Sequence, residues 1–120
     1  MKKLFKNKII CFDIDGIICN TKKNNYKKSI PRKKNILFIN KLYRDGNYIK
    51  IFTSRYMGRN NEDYKLVKKK FYLKTKMQLD KWNLKYNELI MGKPSYDFQF
   101  DDKSYNSKSS NFIKLLKKLK

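Results

Sequence analysis

Short apolar runs alternate along this chain with longer segments of helical periodicity. The first run covers residues 8–12, and later ones cover 48–52, 88–91 and 96–100. Each is short and bounded by turn residues, which is typical of buried strands. Helical stripes lie between or after them, at 36–43, from about 60 to 82, and at 112–119. This alternation predicts an α/β fold whose mainly parallel sheet is covered by helices on both faces.

The length and apolar content of the chain fit one domain spanning residues 1–120. The chain has 120 residues, of which 40% are hydrophobic, so it can bury one modest core. We therefore expect a Rossmann-like three-layer sandwich. No apolar run approaches the length of a membrane span. The lysine-rich start resembles a signal peptide, but aspartates break its apolar run and no cleavage site follows, which predicts a cytoplasmic protein with no membrane partner.

Local signals predict where the loops and helices begin and end. The polar, lysine-rich segment 21–33 is interpreted as a mobile loop or flap, with Ser29 and Pro31 at the start of the first helix. Gly46 is the expected C-terminal cap of that helix. The caps expected for the two later helices are Asn60 or Asn61 for the second, and Ser107, Ser109 or Ser110 for the third.

Two residue types limit the chemistry. Histidine is absent, which excludes Ser-His-Asp and Cys-His catalysis and histidine-ligated metals. The only cysteines are Cys11 and Cys19, too few for a disulfide framework or a zinc site, and we expect reduced thiols packed beside the first strand. Any catalysis must therefore use carboxylates, lysines, hydroxyls or a hard metal ion bound by oxygen.

The formal net charge of +21 has two interpretations. Such a charge favours a polyanionic partner, which would make nucleic acid a possible ligand of the basic surface. The chain also has no alanine and only four arginines, as AT-rich codon usage would produce. Arginine is the better phosphate ligand, so its scarcity favours compositional drift. The lysines of the helix from about 60 to 82 likewise fit a solvated face.

Polar side chains follow the predicted strands at their carboxyl ends. Ligands of open α/β sheets bind beyond these ends, so we expect the side chains to meet at one edge. Only ten residues are acidic, yet four of them form two close pairs in these positions. The residues concerned are Asp13 and Asp15, Thr53 and Ser54, Lys93, and Asp101 and Asp102.

This set has the parts needed to hydrolyse a phosphate ester. Asp13 can attack phosphorus in line, giving an aspartyl-phosphate, if a cation offsets the charge of the phosphate. Mg²⁺ prefers oxygen ligands, which Asp13, the main-chain carbonyl of Asp15, and Asp101 or Asp102 would supply. Asp15 lies two residues further along, points the same way, and can serve as general acid and base.

The remaining predicted site residues bind the phosphoryl group. Thr53 and Ser54 would offer hydroxyl and backbone N–H donors, and Lys93 a fixed positive charge that stabilises the transition state and restrains Asp13. Gly16 allows the sharp turn after Asp15. We also predict that Gly16 belongs to the phosphate-binding residues. Arg55 has two open roles, because it could contact substrate or simply close its loop.

Four segments resemble the motifs of the haloacid dehalogenase superfamily, and they occur in its order. They are CFDIDGIICNT, IKIFTSR, MGKP with Lys93, and FQFDD, and with the two strand residues before the first they span residues 9–102. The longer stretches around them are similar to the small capsule-polysaccharide-biosynthesis phosphatases of that superfamily. This resemblance implies a HAD-like fold and a Mg²⁺-dependent phosphatase acting on a phosphorylated sugar or related metabolite.

The resemblance also implies a role for each residue. Asp13 would be the nucleophile, Asp15 the general acid and base, Thr53 a phosphate ligand and Lys93 the stabilising lysine. Asp101 and Asp102 would be the metal pair. We expect Asp102 to bind the metal directly and Asp101 to hold a metal-bound water.

The sequence departs from the family pattern at two places. Ile17 replaces the usual threonine of the first motif, and the segment after Thr21 is unusually lysine-rich. The segments between motifs are also too short for a full cap domain. An open site of this kind either accepts a bulky substrate or borrows a neighbouring subunit as its lid, so a homo-oligomer is possible.

Two other functions remain open. The same chemistry could act on nucleic-acid ends such as a 3′-phosphate, which the open site and the +21 charge favour. A non-catalytic, basic nucleic-acid-binding module on a phosphatase scaffold is the third possibility, although its catalytic residues are intact. Phosphoryl transfer to an acceptor other than water is also compatible with the motifs.

Overall fold

A computed structural model describes residues 5–106 and 112–119, and no helix in these ranges is long and apolar enough to cross a membrane. The strands are β1 (Ile9–Phe12), β2 (Cys19–Asn20), β3 (Ile30–Pro31), β4 (Tyr48–Thr53) and β5 (Glu88–Met91). The helices are α1 (Lys33–Arg44), α2 (Tyr64–Lys81) and α3 (Phe112–Leu119), with 3₁₀ turns at Tyr26–Lys28 and Gly58–Asn60.

The main sheet is parallel, with strand order β1-β4-β5. β4 lies in the centre, and its Ile51 is paired with Phe12 of β1 and Leu89 of β5. α1 connects β1 to β4, and α2 connects β4 to β5. The predicted α/β, Rossmann-like class is therefore confirmed. β2 and β3 form a separate antiparallel pair between β1 and α1.

The two faces of the sheet are buried to different extents. One face carries Phe12, Ile49, Ile51, Leu89 and Met91, all buried in the core. α1 packs on it through Ile36, Ile39 and Leu42, and α2 through Val67 and Leu79. α3 begins on this side as well, because the Phe112 ring packs edge-on against Phe12 and Phe38.

The opposite face is partly open. Ile9 is 71% exposed, Cys11 is exposed, and Tyr48 is 42% exposed. Within the described ranges, this face therefore lacks the complete helical cover that a three-layer sandwich requires. Cys19 is buried as expected, but the prediction that Cys11 would also be buried is wrong, because alternation along β1 turns it to the open face.

The predicted start of the first helix is wrong by a few residues. Ile30 and Pro31 instead pair with β2, and α1 begins at Lys33. The residue before a proline avoids the helical region, which favours an extended Ile30. The predicted end is confirmed, since Gly46 follows the helix with a φ of +96° and donates its N–H to the carbonyl of Tyr43.

The cap of α2 also differs from the prediction. Asp63 caps this helix, its carboxylate accepting from the N–H of Leu66. Asn60 is used elsewhere, because its amide donates to the carbonyl of Tyr56, and Asn61 has a left-handed φ of +55°. The predicted caps of α3, Ser107, Ser109 and Ser110, lie outside the described residues.

The predicted fourth strand does not form. Residues 96–100 pair with no strand of the described chain, and Phe98 and Phe100 are 83% and 94% exposed. Chain geometry explains the error. A parallel strand starting at residue 96 would require the chain to return to the amino edge of the sheet through residues 92–95. A parallel crossover needs about a dozen residues or more.

Candidate active site

Asp13 and Lys93 meet at the carboxyl edge of the sheet. Asp13 follows β1, Lys93 follows β5, and the Lys93 Nζ lies 3.8 Å from the Asp13 Oδ2. The N–H of Ile14 donates to Oδ1 of Asp13 over 2.8 Å, which fixes the carboxylate. The Asp13 side chain remains 38% exposed, so a ligand can reach it from solvent. The sequence predicted that Asp13 and Lys93, from strands far apart in the chain, would meet at this edge.

Burial raises the pKa of Asp13 above its ordinary value of 3.8, and nearby Asp15 raises it further. Lys93 opposes this shift by its positive charge, as does the hydrogen bond from Ile14. Desolvation is the largest of these effects. Burial therefore makes this carboxyl group harder to ionise than one in water, and Lys93 partly offsets that effect.

Asp15 is bound by Arg55 in a bidentate ion pair. The Arg55 Nε donates to Oδ2 and Nη2 to Oδ1, each over 2.9 Å. The Thr21 hydroxyl also donates to Oδ1, over 2.5 Å. Both carboxylate oxygens therefore have partners, and a planar guanidinium fixes the direction of the group.

Arg55 is itself buried among partners from other elements. Its side chain is 1% exposed, its Nη1 donates to the Gln78 Oε1 over 2.5 Å, and its guanidinium lies 4.7 Å from the centre of the Tyr26 ring. Of the two predicted roles of Arg55, contact with substrate stays a prediction. The guanidinium binds Asp15, which joins the loop after β4 to the loop after β1, and its hydrogen bond to Gln78 connects the loop after β4 to α2.

The segment after Thr21 is held against α2 and the loop after β4. The Gln78 amide donates to the carbonyl of Tyr26, and Arg59 donates to that of Asn24. The guanidinium groups of Arg55 and Arg59 lie 4.7 and 5.0 Å from the centre of the Tyr26 ring. The predicted mobile flap is therefore a tethered hairpin. No periodicity in the sequence signals these contacts, because they join residues far apart in the chain.

Thr53 and Ser54 end β4 at the same edge. The Thr53 side chain is fully buried, and its hydroxyl accepts from the N–H of Arg55 over 3.1 Å. Its carbonyl accepts from the N–H of Lys93 over 3.1 Å, which aligns the ends of β4 and β5. Ser54 is half-buried and more accessible than Thr53. Of the two hydroxyls, that of Ser54 is therefore better placed to meet a ligand.

Gly16 has a structural role in the turn after Asp15. Its φ of +95° is one that glycine adopts without strain. Its N–H donates to the carbonyl of Cys19 over 2.8 Å, and its own carbonyl accepts from Arg32. The Gly16 N–H therefore already has a partner within the turn, and the predicted binding of phosphate by Gly16 stays a prediction.

Asp101 and Asp102 are not brought to Asp13. Both are exposed, in the coil that follows the unpaired segment 96–100. Within residues 5–106 and 112–119, no group of three or more acidic or cysteine side chains could hold a metal ion. As the described residues lie, Asp101 and Asp102 do not join Asp13 in a cluster of three metal-ligating side chains.

Comparison with known proteins identifies similar structures but no family. No protein-family model and no curated protein sequence matches the chain. A solved protein from Vibrio cholerae superimposes with a TM-score of 0.77 at 23% identity, over 93% of this chain and 98% of that one. A chain of the Pnkp1/Rnl/Hen1 RNA repair complex superimposes with a TM-score of 0.51 at 13% identity. The alignment covers 98% of this chain but 32% of that one. These likenesses establish the fold.

Proposed function

We propose that this protein is a phosphomonoester hydrolase that works through an aspartyl-phosphate on Asp13. The observation that carries the proposal is the meeting of Asp13 and Lys93, from β1 and β5, at the edge where α/β sheets bind ligands. Asp15 lies two residues beyond Asp13 as a second carboxylate. The motif order that resembles haloacid dehalogenase phosphatases supports the same reaction.

The reaction has two steps. In the first, a carboxylate oxygen of Asp13 attacks phosphorus, the bond to the leaving oxygen breaks, and Asp15 delivers a proton to that oxygen. In the second, water attacks phosphorus and gives its proton to Asp15 while the bond to Asp13 breaks. Lys93 offsets charge on the phosphoryl oxygens in both steps.

Arg55 positions Asp15 for these proton transfers. The bidentate pair fixes the plane of the carboxylate, and the Thr21 hydroxyl occupies one of its oxygens. Because the oxygen that carries the proton has to face the substrate, the donors on that oxygen must give way while Arg55 holds the other oxygen. Arg55 thus acts through Asp15 and does not touch the reacting atoms.

Mg²⁺ is the proposed cofactor, and it would neutralise the charge of the phosphate as Asp13 approaches. Asp13 and the carbonyl of Asp15 are oxygen donors of the kind it prefers. Asp102 is the proposed third ligand and Asp101 the holder of a bound water. Both would have to approach Asp13 from their exposed positions.

The test is hydrolysis of an aryl phosphate with and without Mg²⁺, comparing the wild type with Asp13→Asn. We expect turnover that requires both the metal and Asp13. Lys93→Gln should lower kcat by about a hundredfold or more, as loss of a single charge-stabilising group does. A wild-type protein that leaves every phosphomonoester intact in the presence of Mg²⁺ would exclude the catalytic proposal.

Two substrate classes fit this chemistry. The resemblance to capsule-polysaccharide phosphatases favours a phosphorylated sugar or related metabolite. A nucleic-acid end is the second candidate, favoured by the +21 charge and by the fold likeness to a chain of an RNA repair complex. Comparing kcat/KM for sugar phosphates with that for an oligonucleotide 3′-phosphate separates them, since steep loss of turnover with added salt is expected only for the oligonucleotide.

A further inference from the structure

One face of α2 forms an open groove of lysines and tyrosines. Its volume is about 460 Å³, and its lining residues are Tyr64, Lys65, Lys68, Lys69 and Tyr72. Tyr64, Lys68 and Tyr72 are spaced by four residues, as are Lys65 and Lys69, so they form two adjacent rows on the helix. Tyr64 is 43% exposed, and all three lysines are exposed. Aromatic rings and positive charge therefore alternate on one accessible surface.

The lysines of this groove lack acidic partners. None of the ion pairs found in the described parts of the chain includes Lys65, Lys68 or Lys69. The Lys68 Nζ lies 6.0 Å from the centre of the Tyr64 ring instead. Like charges four residues apart, such as those of Lys65 and Lys69, destabilise a helix, and a bound anion would remove that cost.

The groove begins beside the candidate active site. The Tyr64 ring lies against the backbone of Gly92, where a Cβ atom would come within 2.1 Å of Cδ2 of Tyr64. Lys93 follows Gly92 and faces Asp13. α2 starts at the carboxyl edge of the sheet and runs away from it. Along the helix axis, Tyr72 lies about 12 Å beyond Tyr64. A polymer lying in the groove would therefore have its end at Lys93 and Asp13.

We propose that this face of α2 binds single-stranded nucleic acid and presents its terminal phosphate to Asp13. Lysines that follow a phosphate backbone, with aromatic rings on which bases stack, are the usual features of single-strand binding surfaces. A sugar phosphate is too small to reach Tyr72 from Asp13. Presentation of a strand end also rests on the phosphatase function proposed above, whereas strand binding by α2 does not.

Binding is measured with the full chain carrying Asp13→Asn, so that turnover does not consume the probe. The probe is a fluorescein-labelled single-stranded DNA of about 20 nucleotides with a 3′-phosphate, followed by anisotropy at several salt concentrations. The test variant is Lys65→Gln/Lys68→Gln/Lys69→Gln. The control is Lys114→Gln/Lys117→Gln/Lys118→Gln, which removes the same charge from exposed positions of α3.

The test variant should bind at least about tenfold more weakly than the control. The logarithm of its association constant should fall with the logarithm of the salt concentration less steeply than that of the control, by about 2 in slope. Three phosphate contacts are lost, and each contact on a single strand contributes about 0.7. Tyr72→Leu should weaken binding by about tenfold while leaving that slope unchanged, because stacking releases no counterions. Circular dichroism confirms that α2 remains helical in each variant.

Three outcomes would overturn the proposal. Equal affinities for the two lysine variants would show that the net charge alone attracts the probe. Binding of duplex DNA as tight as that of the single strand would exclude stacking on the tyrosines. If the test variant lost binding to phosphatidylserine vesicles but kept binding to the oligonucleotide, the groove would be assigned to a membrane surface. Hydrolysis of an aryl phosphate by the chain with intact Asp13 is measured separately and tests only the phosphatase function.

Discussion

Two carboxylates two residues apart have different surroundings in this protein. Asp13 is near one lysine ammonium group at 3.8 Å and is partly open to solvent. Asp15 is held by a buried guanidinium at 2.9 Å through both of its oxygens. The two groups are therefore fixed in different ways, Asp13 by the N–H of its neighbour Ile14 and Asp15 by a side chain 40 residues away.

Replacing Arg55 tests whether it acts through Asp15. Arg55→Lys keeps the charge but loses the planar fork, so kcat on aryl phosphates should fall by about tenfold or more with little change in KM. The loss should be largest for esters with poor leaving groups, which depend most on the proton from Asp15. Steady-state kinetics over a series of leaving groups provides the measurement.

The control is Arg59→Lys, since Arg59 contacts the Tyr26 and Tyr56 rings and Asn24 but not Asp15. A rise in KM with unchanged kcat in Arg55→Lys would instead assign Arg55 to phosphate binding.

Arg55→Ala should lower the free energy of unfolding by about 3 kcal/mol, because it leaves the Asp15 carboxylate without its cation.

Asp13→Asn should make the protein more stable at neutral pH. Burial raises the pKa of Asp13, so the folded state holds the proton more tightly than the unfolded state does. The ionised carboxylate therefore costs stability above its folded pKa, and this cost disappears as the pH falls below 3.8. We expect a gain of less than about 1 kcal/mol at pH 7, because solvent screens the exposed part of the group.

Denaturant unfolding of both proteins at several pH values checks this expectation. The difference in unfolding free energy should shrink toward zero by about pH 3, where the carboxyl is neutral in both states. A variant less stable than the wild type at pH 7 would mean that attraction to Lys93 outweighs the desolvation of Asp13.

At the scale of elements, the loop between β5 and the segment at 96–100 is fixed by its contact with the start of α2. Gly92 has a φ of +93° and lies directly under the Tyr64 ring. The next residue, Lys93, donates its N–H to the carbonyl of Thr53. A helix start and two strand ends thus determine where the Lys93 side chain lies.

Gly92→Ala should therefore be costly for two reasons, the left-handed backbone and the contact with Tyr64. We expect a loss of about 1–3 kcal/mol of unfolding free energy. Gly46→Ala is a matched control, since Gly46 has a φ of +96° but nothing lies within 4 Å of its Cβ position. The loss for Gly92→Ala should exceed that for the control.

The contact with the ring can be separated by a double-mutant cycle. Combining Gly92→Ala with Tyr64→Ala removes the ring, so the double variant should lose less stability than the sum of the two single variants. Strictly additive losses would show that the Tyr64 ring moves aside at no cost. Thermal or chemical denaturation of the four proteins provides the measurement.

At the scale of the whole molecule, the open sheet face and the exposed segment 96–102 are unusual for so small a domain. Phe98 and Phe100 are almost fully exposed, and the nearby Asp101 and Asp102 are exposed too. Lys93 lies nine positions before Asp102 in the chain, a length that spans up to about 30 Å when extended. The connection is therefore long enough for Asp102 to reach Asp13 without a fourth strand.

If Asp102 completes the metal site, Asp102→Asn should raise the Mg²⁺ concentration for half-maximal activity by at least about tenfold, while Asp97→Asn leaves it unchanged. Asp97 belongs to the same exposed segment and carries the same charge, so it controls for a general loss of negative potential. Titration of aryl phosphatase activity with Mg²⁺ makes the comparison. Equal effects of the two substitutions would remove Asp102 from the set of proposed ligands.

The sequence by itself determined the class of fold and the place of Asp13. β4 and β5 have the predicted positions because short apolar runs between turn residues bury well only as strands. Asp13, Thr53 and Lys93 reach one edge because parallel strands bring their carboxyl ends together. Both results depend on local periodicity and on the direction of the chain, which a single sequence records.

Only the tertiary structure decided the partners of the side chains and the pairing of segments. The ion pair between Arg55 and Asp15 joins positions 40 residues apart, and no spacing in the sequence signals it. The segment 96–100 has the alternation of a strand yet remains unpaired, because pairing depends on whether the connecting chain can reach the sheet edge. Contacts between distant residues depend on three-dimensional geometry, and local patterns do not contain it.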